Sequence, residues 1–412
     1  MRLSLHSVPG QVGFEAYLSQ IGASQFDPPL RSDLGRYTSH VAENAIAQLR
    51  KLGCKVHRVL ASAVAVHPIG NVPGYVVRDA NGGSWPATHV ILATGHQPPS
   101  LPAAFAKVDP ARISFYTGDT AFANRIAPND KVLVIGTGPG GIDVARHLLQ
   151  EHGVAGPIHI RSRHGLLSAV QTPDPVAPEL VREVGAILTG LERSGVSPTL
   201  ELLGAKLLPL LQRASPGWNF QEFVERATSV DPLVQLNQDI AEAAEGGPAW
   251  RMVVEAVGSH ATRIWKWLGP VQQERFMTEQ NGQFQRLYYT KRHAMLAGSA
   301  RWLADRLAEG SVTVGSTSAG LPAYDKIVIA TGPEYRISKT TNPVIRQMLD
   351  SGLARPCHAP SGELGGLWTQ DCQLRTAPGI FAMGSVLRSE FYAVHGYPAL
   401  DLHARIILAQ LS

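Results

Sequence analysis

Lys131-Val132-Leu133-Val134-Ile135-Gly136-Thr137-Gly138-Pro139-Gly140-Gly141-Ile142 is the stretch whose reading decides the fold. The apolar run before Gly136 reads as a buried strand, the glycine-rich segment as a tight turn, and Ile142 to Leu149 as a helix. Ile158-His159-Ile160 supplies the next strand, so the whole is a βαβ unit of about thirty residues. In Gly136-x-Gly138-x-x-Gly141 the three glycines permit a sharp turn, close approach of a pyrophosphate, and tight packing of helix on sheet. The helix N-terminus then offers unpaired N–H groups to phosphate oxygens. Gly136, Thr137, Gly138, Pro139, Gly140 and Gly141 are therefore expected to hold a dinucleotide; the competing reading is a glycine-rich turn with a purely structural role.

Twenty-five positions after Gly136 the chain reads Arg161-Ser162-Arg163, where a site for NAD usually places Asp or Glu on the ribose. Arginine there suits a 2′-phosphate, so NADP(H) is favoured over NAD(H), against the alternative of a solvated arginine pair on a loop.

Outward from this unit, residues 1–39 show little periodicity and read as connecting loop with short helical pieces. Val41, Ala45, Ile46, Leu49 and Leu52 fall at helical spacing, with Gly53 as a stop. Strands are expected at Lys55 to Val59, at Ala63 to His67 and at Tyr75 to Asp79, the last turning at Asn81-Gly82-Gly83 into a return strand through Trp85 and Thr88. Val90-Ile91-Leu92-Ala93-Thr94-Gly95 reads as a buried strand of a parallel sheet. Lys326-Ile327-Val328-Ile329-Ala330-Thr331-Gly332 repeats its ending, an internal echo on the far side of the glycine-rich loop. Between them, residues 166–307 are rich in Leu, Ala, Glu, Gln and Arg and read as helical, with Leu200 to Gln212, Phe220 to Ala227, Leu233 to Ala244 and Ala294 to Leu307 as helices. Strand character returns at Ser311 to Val314 and at Gly379 to Gly384, and Pro398 to Leu411 closes as a helix.

Composition narrows the function class. At 44% apolar and 17% charged residues, the 412-residue chain is an ordinary globular protein of two or three units, and not a disordered one. A net charge of +4 without a dense basic cluster is poor evidence for nucleic acid. Cys54, Cys357 and Cys372 are widely spaced and form no CxxC pair, which argues against a disulfide framework, a zinc site or a dithiol centre. No apolar run approaches the eighteen or so residues of a membrane span, and the N-terminus lacks a signal-like apolar core, so a cytoplasmic location and a small-molecule partner are expected. No HExxH, GxxxxGK[ST] or Ser-His-Asp order is present, which removes zinc-protease, P-loop and hydrolase readings.

The order of motifs carries a resemblance. Phe26-x-Pro28-x-x-Arg31, Ala93-Thr94-Gly95-His96, the 136–141 loop, Ser162-Arg163-x-Gly165, Ala330-Thr331-Gly332-Pro333 and Phe381-Ala382-Met383-Gly384 together resemble the FAD/NAD(P)-binding oxidoreductases, most closely uncharacterised FAD-NAD(P)-binding proteins distantly similar to flavin-dependent N-hydroxylating monooxygenases. The resemblance implies an α/β fold of two Rossmann-like dinucleotide-binding domains, the second inserted in the first. On that pattern the FAD-type domain spans 1–98 and 334–412, the NAD(P)-binding domain 99–165 and 308–333, and the helical insertion 166–307. It further implies that the Ala-Thr-Gly ends, with Thr94, Gly95, His96, Thr331 and Gly332, mark the crossings between domains near the cofactors, and that Gly384 and Ser385 touch FAD. A FAD domain of this kind opens with its own strand and Gly-x-Gly-x-x-Gly loop; residues 1–39 contain none, and Ser385 stands where many relatives carry Asp.

The expected activity is hydride transfer from NADPH to FAD and on to an unidentified small molecule or to oxygen. The alternative is an NAD(P)-binding protein with an incomplete FAD site and no independent catalysis. No catalytic acid or base stands out; Tyr392 and His395, on a loop after Gly384, are the candidates for proton relay against an ordinary structural role. Trp265, Trp267, Tyr288 and Tyr289 could line a substrate pocket, although aromatics at this spacing usually belong to a core.

Overall fold

A computed structural model describes residues 13–22, 31–70, 72–118, 120–172, 176–217, 219, 230–277, 294–317, 323–394 and 396–411. Phe26 to Leu30, the predicted helix Phe220 to Ala227, Tyr288, Tyr289 and His395 lie outside them.

The glycine-rich stretch forms what its sequence dictates. Strand β6 (Val132–Ile135) runs into helix α3 (Pro139–Gln150), and β7 (Ile158–Ser162) follows. Proline at the first helical position costs no hydrogen bond, because that N–H has no partner inside the helix. These strands join β5 (Ile113–Phe115), β8 (Val312–Ser316) and β9 (Lys326–Ile329) in a five-stranded parallel sheet of order β5-β9-β6-β7-β8. Val132, Leu133, Val134, Val328 and Ile329 are all fully buried, as parallel strands covered on both faces must be. Ile142, Val144, Ala145 and Leu148 of α3 close one face.

A second sheet has the order β12-β13-β14-β4, from β12 (Thr369–Gln370), β13 (Gln373–Leu374), β14 (Ile380–Ala382) and β4 (Val90–Leu92). Only its β14–β4 pair is parallel, with Ile380 opposite Val90 and Ala382 opposite Leu92. An antiparallel meander of β1 (Ala63–Pro68), β2 (Tyr75–Asp79) and β3 (Ser84–Ala87) precedes it. Its turn is locked by the Asp79 carboxylate, which accepts from the Asn81 and Gly83 amides and from the Trp85 indole. The architecture is α/β, with separate cores around the two sheets.

The stretch between β7 and β8 is helical: α4 (Pro178–Arg193), α5 (Leu200–Ala214), α6 (Pro232–Ala244), α7 (Ala249–Ser259), α8 (Ala261–Met277, broken at Gly269-Pro270) and α9 (Ala297–Ala308). Val184, Leu188, Leu207, Val253 and Ile264 give four of these helices a core of their own.

Three expectations need correction. Residues 31–39 are not a loop: α2 is one helix over Arg31–Lys51, because Leu34, Tyr37 and Val41 make a stripe that packs on Phe14 and Leu18 of α1 (Phe14–Gln20). Lys55 to Val59 forms no strand; the segment has no ladder partner, and Val59 and Leu60 are exposed. The strand at 90–92 is not buried throughout, since Ile91 is 45% exposed. Helix α10 (Pro343–Asp350) and the hairpin β10 (Pro356–Ala359) to β11 (Gly362–Leu367) carried no signal that the sequence reading used.

Candidate dinucleotide-binding site

The three motif glycines of the 136–141 loop, Gly136, Gly138 and Gly141, do different work. Gly136 has φ of 129°, and a Cβ there would sit 2.3 Å from the Ala330 carbonyl oxygen; Gly141 would drive a Cβ to 1.8 Å from the Gly136 oxygen. Both glycines are demanded by packing alone. Gly138, by contrast, caps α3 with φ of −78° and has nothing within 4 Å of its Cβ position. The chain thus leaves an open cradle at the N-terminus of a 12-residue helix, where unpaired amides and the helix dipole favour an anion. The phosphates of a dinucleotide fit it. Gly140 lies against the ring of Tyr116, 3.3 Å from its Cβ position, a neighbour that no sequence motif announces.

Thr137 is buried, and its hydroxyl bonds the Leu166 carbonyl and the Ser162 hydroxyl, the latter at 3.0 Å. Ser162 also accepts the Gly165 amide at 3.0 Å. These two predicted contacts therefore hold the 162–166 turn against the loop. Arg161 and Arg163 separate in role: the Arg161 guanidinium donates to the carbonyls of Ile160 and Thr313 at 3.0 and 3.1 Å and lies along β8, whereas the Arg163 side chain is exposed.

The two Ala-Thr-Gly ends come together through their downstream residues. Glu334 accepts from the Ser100 hydroxyl, from the Arg336 guanidinium at 2.6 and 3.0 Å, and from the amides of Tyr335 and Arg336. Its own amide donates to the Pro98 carbonyl at 3.3 Å. Burial alone would raise the Glu334 pKa, but the bonds from Arg336 and Ser100 outweigh it and hold the carboxyl at about 2. Thr331, Gly332, Gly95 and His96 are exposed around this clasp, with Thr94 half-buried. Gln97, next to His96, is buried, and its amide nitrogen has no hydrogen-bond partner, an orphan donor of the kind a bound group satisfies.

Gly384 and Ser385 join this region. The Ser385 hydroxyl donates to the Gly95 carbonyl at 2.7 Å. The Gly384 amide donates to Nδ1 of His403 at 3.3 Å, so that ring nitrogen is unprotonated. His403 sits in the terminal helix α11 (Tyr397–Leu411), is fully buried, and is pushed by that burial down to about 4. The sequence reading missed both Glu334 and His403; no local motif marks a glutamate whose partner Ser100 lies 234 positions away or a histidine in the second turn of the last helix.

Tyr392 lies within the core. Its ring stacks on Trp265 at 4.8 Å and faces the Arg388 guanidinium at 4.1 Å, and its φ of 53° is a left-handed conformation costly for a bulky residue. Trp265 is buried and donates to the Ser389 carbonyl at 2.8 Å, so this aromatic stack joins α8 to the segment after β14.

A FAD molecule needs a pyrophosphate cradle of its own. Among the described residues the 136–141 loop is the single Gly-x-Gly-x-x-Gly turn between a strand and a helix. Among the described residues, no helix is long and apolar enough to cross a membrane, and no cluster of His, Cys, Asp and Glu could hold a metal.

No curated protein matches the chain. Solved structures with a similar course include an ornithine N-hydroxylase from Kutzneria sp. 744, at 13% identity over 97% of this chain and 82% of that one, with a TM-score of 0.48. An L-lysine 6-monooxygenase from Pseudomonas syringae follows at 13% identity, covering 97% and 81%, with a TM-score of 0.47. An ornithine hydroxylase from Pseudomonas aeruginosa gives 14%, 97%, 81% and 0.44. Residues 9–97, which contain the meander and the first Ala-Thr-Gly end, match the FAD-NAD(P)-binding family model, and over that segment the chain is similar to FAD-NAD(P)-binding proteins.

Proposed function

We propose that the chain is a flavin- and NADPH-dependent oxidoreductase acting on a small molecule, of the monooxygenase type. The observation that carries the reading is the open cradle at Gly138 at the head of α3; the family match over residues 9–97 supports the flavin half. When bound, NADPH supplies hydride and a flavin accepts it.

The residues of the chain have separate tasks in this reading. The α3 N-terminus and Gly136 to Gly141 bind the pyrophosphate of NADPH, and Arg163 meets the 2′-phosphate while Arg161 braces the sheet. Glu334 fixes the two crossings against each other, which sets the orientation of one cofactor-binding half on the other. Ser385 and His403 hold the 384–385 turn at Gly95, where the flavin side would lie. We assign residues 1–98 and 334–412 to the FAD-type domain, 99–165 and 308–333 to the NAD(P) domain, and 166–307 to the insertion.

The absence of a second glycine-rich turn among the described residues favours one other reading, an NADP(H)-binding protein that handles no flavin by itself. Titration of the purified chain with NADPH and, separately, with FAD tests both. Saturable binding of both nucleotides supports the oxidoreductase; NADPH binding with no uptake of FAD supports the second reading; no NADPH binding contradicts both.

A further inference from the structure

The loop carries one glycine more than its motif requires. Gly136, Gly138 and Gly141 fill the motif positions, and Gly140 stands at a free one. It lies in the first turn of α3 with helical backbone, where glycine weakens a helix relative to alanine. Packing explains its presence. A Cβ on Gly140 would lie 3.3 and 3.5 Å from Cε1 and Cδ1 of Tyr116, and nothing else outside the helix comes within 4 Å among the described residues. Gly140 is thus the seat of one aromatic ring.

Tyr116 is fixed in that seat. Its amide donates to the Ile329 carbonyl at 2.9 Å, which carries the β5–β9 ladder one residue past Phe115. Buried Phe122 meets its ring edge-on at 5.6 Å and in turn meets His147 of α3 at 5.6 Å. The ring is nonetheless only half-buried, so part of it is accessible at the first turn of the helix that heads the cradle. Strand order says which part of a dinucleotide reaches it. In β5-β9-β6-β7-β8 the glycine-rich turn follows the central strand; Arg163 lies past the end of β7 on one side, and Thr331-Gly332 and Tyr116 lie past the ends of β9 and β5 on the other. With the pyrophosphate at α3 and the adenosine 2′-phosphate at Arg163, the nicotinamide ribose extends over β9 toward β5. Near the end of β9 stands an unsatisfied donor. The Pro98 carbonyl accepts the Glu334 amide two residues after Gly332, and Gln97, the residue before Pro98, is buried with no hydrogen-bond partner for its side-chain nitrogen.

We infer that Tyr116 binds the nicotinamide-ribose half of NADPH, its ring forming the wall of the site on the β5 side, and that glycine at position 140 admits the ring to that place. The inference deepens the NADPH reading above and rests on it. An aromatic face there packs against the ribose and the flat nicotinamide and leaves the adenosine half untouched.

The test is titration calorimetry of the full chain with two probes: NADPH, and adenosine 2′,5′-bisphosphate, which carries the adenosine half and its 2′-phosphate but no nicotinamide. Tyr116→Ala should weaken NADPH about tenfold or more and leave the bisphosphate within about twofold of the unaltered chain. Tyr116→Phe keeps the ring and should hold NADPH within about threefold. Tyr116→Leu keeps apolar bulk against Gly140 and should weaken NADPH about fivefold, a reading that stands where Tyr116→Ala fails to fold. The inference is overturned by NADPH affinity that is unchanged in Tyr116→Ala or Tyr116→Leu, by equal loss of both probes, or by a loss in Tyr116→Phe as large as in Tyr116→Ala. An unaltered chain that binds no NADPH contradicts the NADPH reading and the inference with it; one that binds NADPH and is indifferent to the Tyr116 substitutions contradicts the inference alone.

Discussion

The hydroxyl of Ser385 donates to the carbonyl of Gly95 at 2.7 Å across 290 positions of sequence. One hydrogen bond thus ties the first Ala-Thr-Gly end to the turn after β14, and these are the two segments at which the proposed function puts the flavin. Replacing Ser385 by Ala should destabilise the protein by about 0.5–1.5 kcal/mol, the usual net value of such a bond, measured by urea unfolding. The substitution should also loosen FAD affinity while leaving NADPH affinity unchanged. Equal loss of both affinities would show a general defect instead of a local one.

The glycines of the nucleotide loop should separate fold from binding. Gly141→Ala forces a Cβ onto a backbone oxygen and is expected to cost about 3 kcal/mol or more, lowering the melting temperature and the soluble yield. Gly138→Ala meets open space at an ordinary φ, so its melting temperature should stay close to that of the parent. Its methyl group enters the space a pyrophosphate would use, and NADPH affinity should fall at least tenfold, about 1.4 kcal/mol. A fluorescence titration beside a thermal melt reads both.

Glu334 makes stability depend on acid. Its carboxyl is held at about 2 in the folded protein against 4.5 for an ordinary glutamate, so the unfolded chain binds the extra proton first. The clasp therefore stabilises fully above about pH 4.5 and is lost as pH falls from there toward 2. Glu334→Gln should cost about 1.5–3 kcal/mol at neutral pH, in the range of hydrogen bonds to charged groups, and its deficit should shrink through that window. Denaturant unfolding of both proteins across pH checks the sign.

The two arginines after β7 should behave differently. Arg163→Ala should weaken NADPH binding about tenfold and leave NADH binding unchanged, removing about 1.4 kcal/mol of discrimination. Arg161→Ala strips donors from the Ile160 and Thr313 carbonyls and should lower stability before it alters nucleotide choice. Parallel titrations with NADPH and NADH distinguish the pair.

Much of the β6-α3-β7 unit was legible because its signals are local. Four apolar residues, four glycines and a helix follow one another within twenty positions, and β6, α3 and β7 fall where periodicity puts them. The helix at 31–51 was read short because its first turns carry Gly35 and many polar residues, and their burial depends on α1, a contact that periodicity alone does not reveal. The clasp at Glu334 and the support of Gly384 by His403 were illegible for a different reason. Both join single polar residues to a group brought close only by the fold, the Ser100 hydroxyl for Glu334 and the Gly384 amide for His403, and such pairs leave no spacing in the sequence. Arg161 and Arg163 looked alike as letters; Arg161 lies within β7 beside β8, which its guanidinium bonds, whereas Arg163 falls past the strand's end at Ser162 and is exposed.

The central claim is that this chain brings NADPH and a flavin together. Its most direct test is anaerobic addition of NADPH to the protein mixed with FAD, followed by the visible absorbance of the flavin. The expected result is bleaching that saturates with NADPH and is slowed at least tenfold in Gly138→Ala. Bound NADPH with a flavin band that stays unchanged would contradict it.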